Sequence, residues 1–307
     1  MLKIKGLYLP MLANRMVTGD VYFLSSTHAN CNDEPTHGGD PAKPFATLDY
    51  ALSQMTDNND DLLVVMARHS ETITGAGGIT LDVAGCQIVG MGRYDTRPTF
   101  LMDGGTTVTL LATAANVSVE NIKFLAGHSN IAVFATITAV GVQFTNCCWR
   151  ENTTNENWLI IMSVGAANND SDGFEFINND CYQFDTAASG CVVVNKNMSD
   201  VKICDNFIVG DFSATPYAPI LVPSTEEVVA FLCANNIISN DHNGNAEVGI
   251  SADLATNSGA IVRNLVGHQD AAGATAILGG TGGLFCAENY TSGVLGTKSG
   301  ILYPATT

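Results

Sequence analysis

A short apolar strand, an asparagine and a second short apolar strand recur along this chain at the interval of a β-solenoid coil. The unit reads VSVENIKFLAG around Asn121, VQFTNCCW around Asn146, FEFINNDCYQF around Asn179 and VKICDNFIVG around Asn206. It continues as VAFLCANNIIS around Asn236, AIVRNLVGH around Asn264 and LFCAENYTS around Asn289. Successive asparagines are 25, 33, 27, 30, 28 and 25 residues apart. Self-similarity on that scale marks a repeat architecture, and this unit is too short and too β-rich for a helical repeat. The pattern predicts an all-β, single-domain parallel β-helix.

Each position has a task in such a coil. Apolar residues alternate on either side of the asparagine, so one face of each strand enters a continuous core. The asparagine is expected at the corner, where its tolerance of left-handed dihedrals helps the chain turn, and where stacked amides can bond from coil to coil as a ladder. An ordinary β-sandwich would place hairpin dipeptides between neighbouring strands. Asn-Gly occurs once, at Asn243-Gly244.

A second strand family precedes the corners: 158–164, 191–195, 219–223, 248–251 and 275–279. Each coil therefore offers three strands. Polar stretches such as AANNDSDG at 166–173 and SNDHNGN at 239–245 lie between them as loops. Thirty glycines and a charged fraction of 14% suit tight turns and a β-rich body.

The one helical signal lies within 38–55, where Ala46, Leu48, Ala51, Leu52 and Met55 form an apolar stripe behind Thr47 as N-cap. A helix near 45–56 would cover the exposed end of the coil stack. The expected organisation is an arm and capping helix over 1–60 and the β-helix over 61–307.

Charge narrows the partners. The net charge is −17; residues 1–150 carry 9 Lys+Arg against 13 Asp+Glu, and residues 151–307 carry 4 against 17. Such a field disfavours nucleic acid and anionic membranes. The apolar stretch 131–144 is too short to cross a bilayer and alternates like strand. The amino-terminal segment has Lys3, Lys5 and Arg15 among apolar residues and no acid before Asp20, which suits a docking arm. Of the nine cysteines, Cys147, Cys148, Cys181, Cys204, Cys233 and Cys286 fall in or beside the apolar strands, so they read as core thiols and point to assembly in a reducing compartment.

VYFLSS at 21–26, Gly39-Asp40, Pro44-Phe45-Ala46-Thr47-Leu48, Ala51-Leu52, and LLVVM at 62–66 followed by Glu71-Thr72-Ile73 resemble the pectin-lyase-like superfamily of right-handed parallel β-helix proteins. IVGMGRYDTRPTF at 88–100 is similar to segments of phage-encoded β-helix proteins. The resemblance implies a right-handed coil with an amino-terminal cap. It leaves function open, because this fold carries lyases, hydrolases, tailspikes and inert virion parts.

The chemistry of those enzymes is hard to place here. A lyase of this family would need an Arg or Lys base beside acidic calcium ligands, yet after residue 150 the basic residues are Lys196, Lys202, Arg263 and Lys298, none in a lyase motif. Polygalacturonase motifs are absent: Gly127-His128 and Gly267-His268 lack a second glycine, and Arg-Ile-Lys does not occur. Asp170, Asp172, Asp180 and Asp241 beside His242 form the one candidate carboxylate cluster, in loops where solvated turn residues are the plainer explanation. NNDSDG at 168–173 lacks the glutamate of an EF-hand loop. Trp149 and Trp158 flank a polar run and suit either sugar stacking or core packing.

The sequence therefore favours a non-enzymatic virion structural protein, a phage capsid decoration or head-spike subunit assembled in the host cytoplasm. It would bind phage capsid or tail proteins and form a homotrimer, with no cofactor and no resident metal. The alternatives are a tailspike or tail-fibre protein that binds or depolymerises a surface glycan, and a bacterial polysaccharide lyase or glycoside hydrolase.

Overall fold

The computed structural model describes residues 3–4, 7–8 and 17–302, apart from 154, 185–187, 214–217, 242–247, 269–274, 280–282 and 294–299. From Val21 onward the chain coils into a right-handed parallel β-helix with three long sheets. The first has ten strands, from Val21–Leu24 to Gly283–Ala287; the second has ten, from Ser70–Ile73 to Asn289–Gly293 with Gly300–Leu302 added antiparallel; the third has eight, from Ile79–Leu81 to Thr275–Gly279. The third sheet is the second strand family of the sequence. Val21–Leu24 pairs in parallel with Leu62–Val65, so the first sheet reaches back before residue 60.

Coil-to-coil register is strict, and it builds the core. On the first sheet Val119, Phe144, Phe176, Ile203, Cys233 and Ile261 lie one above the next and are buried. On the second sheet Phe100, Phe124 and Trp149 stack at 6.0 and 5.6 Å between ring centres. Phe124, Phe134, Phe144 and Phe176 surround the Trp149 indole with ring centres 5.6, 5.8, 6.1 and 5.2 Å away, and the position in register with it on the next rung is the small Cys181. These rings belong to the main core, which runs along the inside of the coil, while Phe23, Leu62, Val64 and Val89 form a second, smaller cluster and Val193, Ala218 and Leu221 a third. Trp149 and Trp158 are fully buried in the main core, so they are not available to stack on a sugar.

Backbone geometry explains the short, constant first sheet. Asp60, Gly85, Asn116, Gly141, Gly173, Asp200 and Ala230 share one column at the entry corner, and all have positive φ. Five residues after the later members, the exit corner is again left-handed, at Asn121, Asn146, Asn178, Asp205 and Asn235. The column ends with Arg263 and Glu288. Segment 131–144 follows this rule: its strand Ile131–Ile137 ends, Gly141 turns with φ 68°, and Gln143–Thr145 begins the first sheet.

These dihedrals refine the expected role of the asparagines. Asn121 and Asn146 occupy the left-handed position itself, whereas Asn179, Asn206, Asn236, Asn264 and Asn289 each follow it by one residue. Those five are buried and form the amide ladder. Each Oδ1 accepts the backbone N–H of the preceding rung: Cys147 to Asn179 at 2.8 Å, Asn179 to Asn206 at 2.9 Å, Asn206 to Asn236 at 3.0 Å, Asn236 to Asn264 at 2.9 Å and Asn264 to Asn289 at 3.0 Å. Each Nδ2 donates to a backbone carbonyl of the preceding rung, such as Phe176 from Asn206 at 2.8 Å. Such groups would otherwise be buried polar atoms without partners.

The helix spans Leu48–Ser53, shorter than the 45–56 expected, with Leu48, Ala51 and Leu52 buried in the main core at its amino-terminal end. Thr47 is the N-cap by conformation, but its hydroxyl donates to Asp33 Oδ2 at 2.8 Å instead of capping the helix. Glu71 supplies the missing acceptor, taking the Leu48 N–H at 3.0 Å. His69 Nδ1 accepts from the Ser26 N–H at 2.9 Å, which leaves its Nε2 as the donor to Glu71 at 3.2 Å. Lys3–Ile4 pairs antiparallel with Leu7–Tyr8 as a separate ribbon, while Lys5 and Arg15 of the expected docking arm lie outside the described residues.

Candidate functional site

The acidic residues singled out by sequence do not converge. Asp170 Oδ2 accepts the N–H groups of Ala166 and Ala167 at 3.0 and 2.8 Å, and Asp172 Oδ1 accepts that of Ser199 at 2.8 Å. Both are spent on turns. Asp180 opens a second-sheet strand and faces Arg150 at 3.9 Å. Asp241 follows the strand Ile237–Asn240, two rungs and four residues from Asp180, which is about 16 Å by the spacing of rungs and residues. His242 lies outside the described residues. Carboxylates this far apart cannot act on one glycosidic bond. Among the described residues no group of three or more His, Cys, Asp or Glu side chains could hold a metal ion, and no helix is long and apolar enough to cross a membrane.

Two surface features stand out. The first is the outward face of the second sheet. Phe207, Ile237, Leu265 and Tyr290 lie in one column on successive rungs, and the last three are 44%, 42% and 49% exposed. At its amino-terminal edge Tyr182 packs against Phe207 with ring centres 5.5 Å apart, and the Arg150 guanidinium sits 3.3 Å over the Tyr182 ring. The neighbouring column reads Val209, Ser239 and Gly267. From Phe207 onward neither column carries a charge, in the half of the chain with 17 acidic and 4 basic residues. The apolar residues at these positions were visible in sequence as the strand that follows each asparagine. Their outward direction was not, because an inward residue alternates with each.

The second feature is a groove of about 520 Å³ at the entry corner of the first sheet. Gly85, Asn116 and Gly141 form its floor, and Gln87, Ser118 and Gln143 form its wall. Their register places them on three consecutive rungs. The column of the wall continues into Glu175 and Lys202, paired at 2.8 Å. Sequence reading missed this groove, and the available signal was subtle: each wall residue stands two places after a left-handed corner.

No family model matches this sequence, and no curated protein does. Among solved structures, a rhamnogalacturonan lyase is similar over 91% of this chain and 90% of its own, with 12% identity and a TM-score of 0.47. That likeness is to the coil architecture and carries no activity to this chain.

Proposed function

We propose that the chain is a non-enzymatic structural subunit of a larger particle, a virion β-helix that associates through the outward face of its second sheet. The observation that carries this reading is the charge-free column Phe207, Ile237, Leu265 and Tyr290 within a strongly acidic body. An apolar strip of this kind is a contact surface. The acidic surroundings keep particles apart until strips are aligned, and a like strip on another copy meets it without burying a charge. Three slender coils can each turn this face to a common threefold axis, and the expected assembly is a homotrimer. The phage setting is supported by the resemblance of residues 88–100 to phage-encoded coils. Assembly in the host cytoplasm fits nine cysteines that all stand as free thiols.

Sedimentation velocity tests this reading. The wild-type chain should sediment as a trimer, and Ile237→Glu with Leu265→Glu should sediment as a monomer with unchanged circular dichroism. A monomeric wild type, or a trimer indifferent to both substitutions, removes the docking face. Release of oligosaccharides from a host polysaccharide would remove the non-enzymatic role. A glycan-binding role is favoured by a different observation, the polar groove on the first sheet.

A further inference from the structure

We infer that the groove at the entry corner of the first sheet is a binding site for an uncharged, linear glycan laid across the coils. The inference stands apart from the second-sheet face and does not depend on it.

The lining determines the kind of ligand. Asn58, Asn116, Ser118 and Gln143 each offer an amide or hydroxyl to the groove, and none of these side chains has a hydrogen-bond partner among the described residues. The backbone of the floor is already committed. Asn58 N–H donates to the Ala84 carbonyl at 2.7 Å, Gly85 to Ala115 at 2.9 Å, Asn116 to Val140 at 2.8 Å and Gly141 to Asp172 at 2.8 Å. An extended peptide, which is recognised through main-chain bonds at an open strand edge, finds no such edge here. Sugar hydroxyls both donate and accept, and they match side-chain amides that do the same.

Charge and spacing narrow the class further. Asp60 is the one carboxylate of the lining, and it is engaged by the Thr18 N–H and hydroxyl at 3.1 and 3.2 Å and by Gln87 Nε2 at 2.7 Å. Nothing in the lining is cationic. A polyanion such as a polyuronate would therefore meet a negative carboxylate with no counter-charge, in a chain of net charge −17. The wall repeats once per rung, about 4.8 Å, close to the rise of one pyranose unit in an extended chain. Ser118 and Gln143 can thus address successive sugars in one direction, with Asn58 and Asn116 beside them. Gly141 keeps the floor open, since a Cβ there would stand 2.4 Å from Asn116 Oδ1.

The test uses the full chain and defined hexasaccharides: maltohexaose, cellohexaose, laminarihexaose, mannohexaose and chitohexaose as neutral probes, and hexagalacturonate as the acidic one. Saturation-transfer NMR and calorimetry should detect at least one neutral probe and not hexagalacturonate. Gln143→Ala and Ser118→Ala should each weaken that probe about tenfold or more with an unchanged melting temperature, while Leu265→Glu on the second sheet should leave it unchanged. Gln143→Glu keeps the side-chain shape and adds a negative charge; it should weaken the neutral probe less than Gln143→Ala does. The inference is overturned if no neutral probe binds at about 10 mM, if hexagalacturonate binds in preference, if an extended decapeptide displaces the sugar, or if both alanine variants bind as wild type.

Discussion

Cys147 stands on the rung before Asn179 and does the work of a ladder asparagine with a thiol. Its N–H donates to Asn179 Oδ1 at 2.8 Å, and its single S–H is shared between the Thr145 carbonyl at 3.4 Å and the Val119 carbonyl at 3.7 Å, the latter equivalent to the Phe144 carbonyl that Asn179 Nδ2 reaches at 3.0 Å. One rung earlier the same position is Ile122. The ladder therefore fades out through a sulfur before the column turns apolar.

The first prediction follows from that substitution of sulfur for amide. Cys147→Asn has nearly the same volume, restores an N–H donor toward Val119, and places a second donor beside Asn179 Oδ1. It should raise stability by about 0.5–1.5 kcal/mol, the usual contribution of a buried hydrogen bond, seen as a higher urea midpoint. Cys147→Val should lower the midpoint. If the asparagine variant is the less stable of the two, the column at this rung does not use hydrogen bonds.

The interior of the ladder should be less tolerant. Asn236 Nδ2 donates to the Ile203 carbonyl at 2.8 Å and to Asn264 Oδ1 at 2.9 Å, and its own Oδ1 serves Asn206. Asn236→Leu strands buried groups on two rungs and should lose about 1–3 kcal/mol for each group left unpaired. Asn206→Leu should behave alike. Denaturant melts of both variants that match the wild type would show that these amides contribute nothing net.

Repeat spacing was enough to read the coil, the three strands per coil and the amino-terminal cap, because alternation and periodicity are properties of the chain alone. The ladder was legible only to within one residue. Asn146 and Asn179 look equivalent in sequence, yet Asn146 is the left-handed residue and Asn179 follows Asn178, which took that place. The 33-residue interval between them carries this one-residue shift. The tryptophans were read without a direction, since a strand residue faces in or out by parity, and parity depends on the corner. The groove was not legible at all: it is made of side chains far apart in sequence that become neighbours by register.

The entry-corner column permits an opposed pair of substitutions. Ala230 holds φ 56° with a Cβ that disfavours that conformation, whereas Gly141 holds φ 68° with no Cβ. Ala230→Gly should stabilise the fold by about 1 kcal/mol through relief of left-handed strain. Gly141→Ala should destabilise it, since strain there adds to a Cβ only 2.4 Å from Asn116 Oδ1. Thermal melts moving in opposite directions confirm the column; melts moving together contradict it.

The last prediction concerns alkaline pH. Burial pushes the thiols of Cys86 and Cys147 up to about 12, and burial also raises Cys181 and Cys233 well above the ordinary value. An unfolded chain would release these protons near the ordinary thiol pKa of about 8.5–9, while the folded chain retains them. The unfolded state then binds fewer protons, so stability is fully present below about pH 9 and falls as pH rises from there toward 12. The midpoint of urea unfolding should be level between pH 7 and 8 and decline steeply from pH 9 to 11. Cys86→Ala combined with Cys147→Asn removes two of the groups responsible, so its decline should be shallower. Equal slopes for the two proteins would mean that these thiols do not govern the alkaline limit. A thiol-specific reagent gives the structural check: at pH 8 it should modify the partly exposed Cys31 first, Cys286, whose thiol burial also raises, more slowly, and the seven buried thiols only after the coil is unfolded.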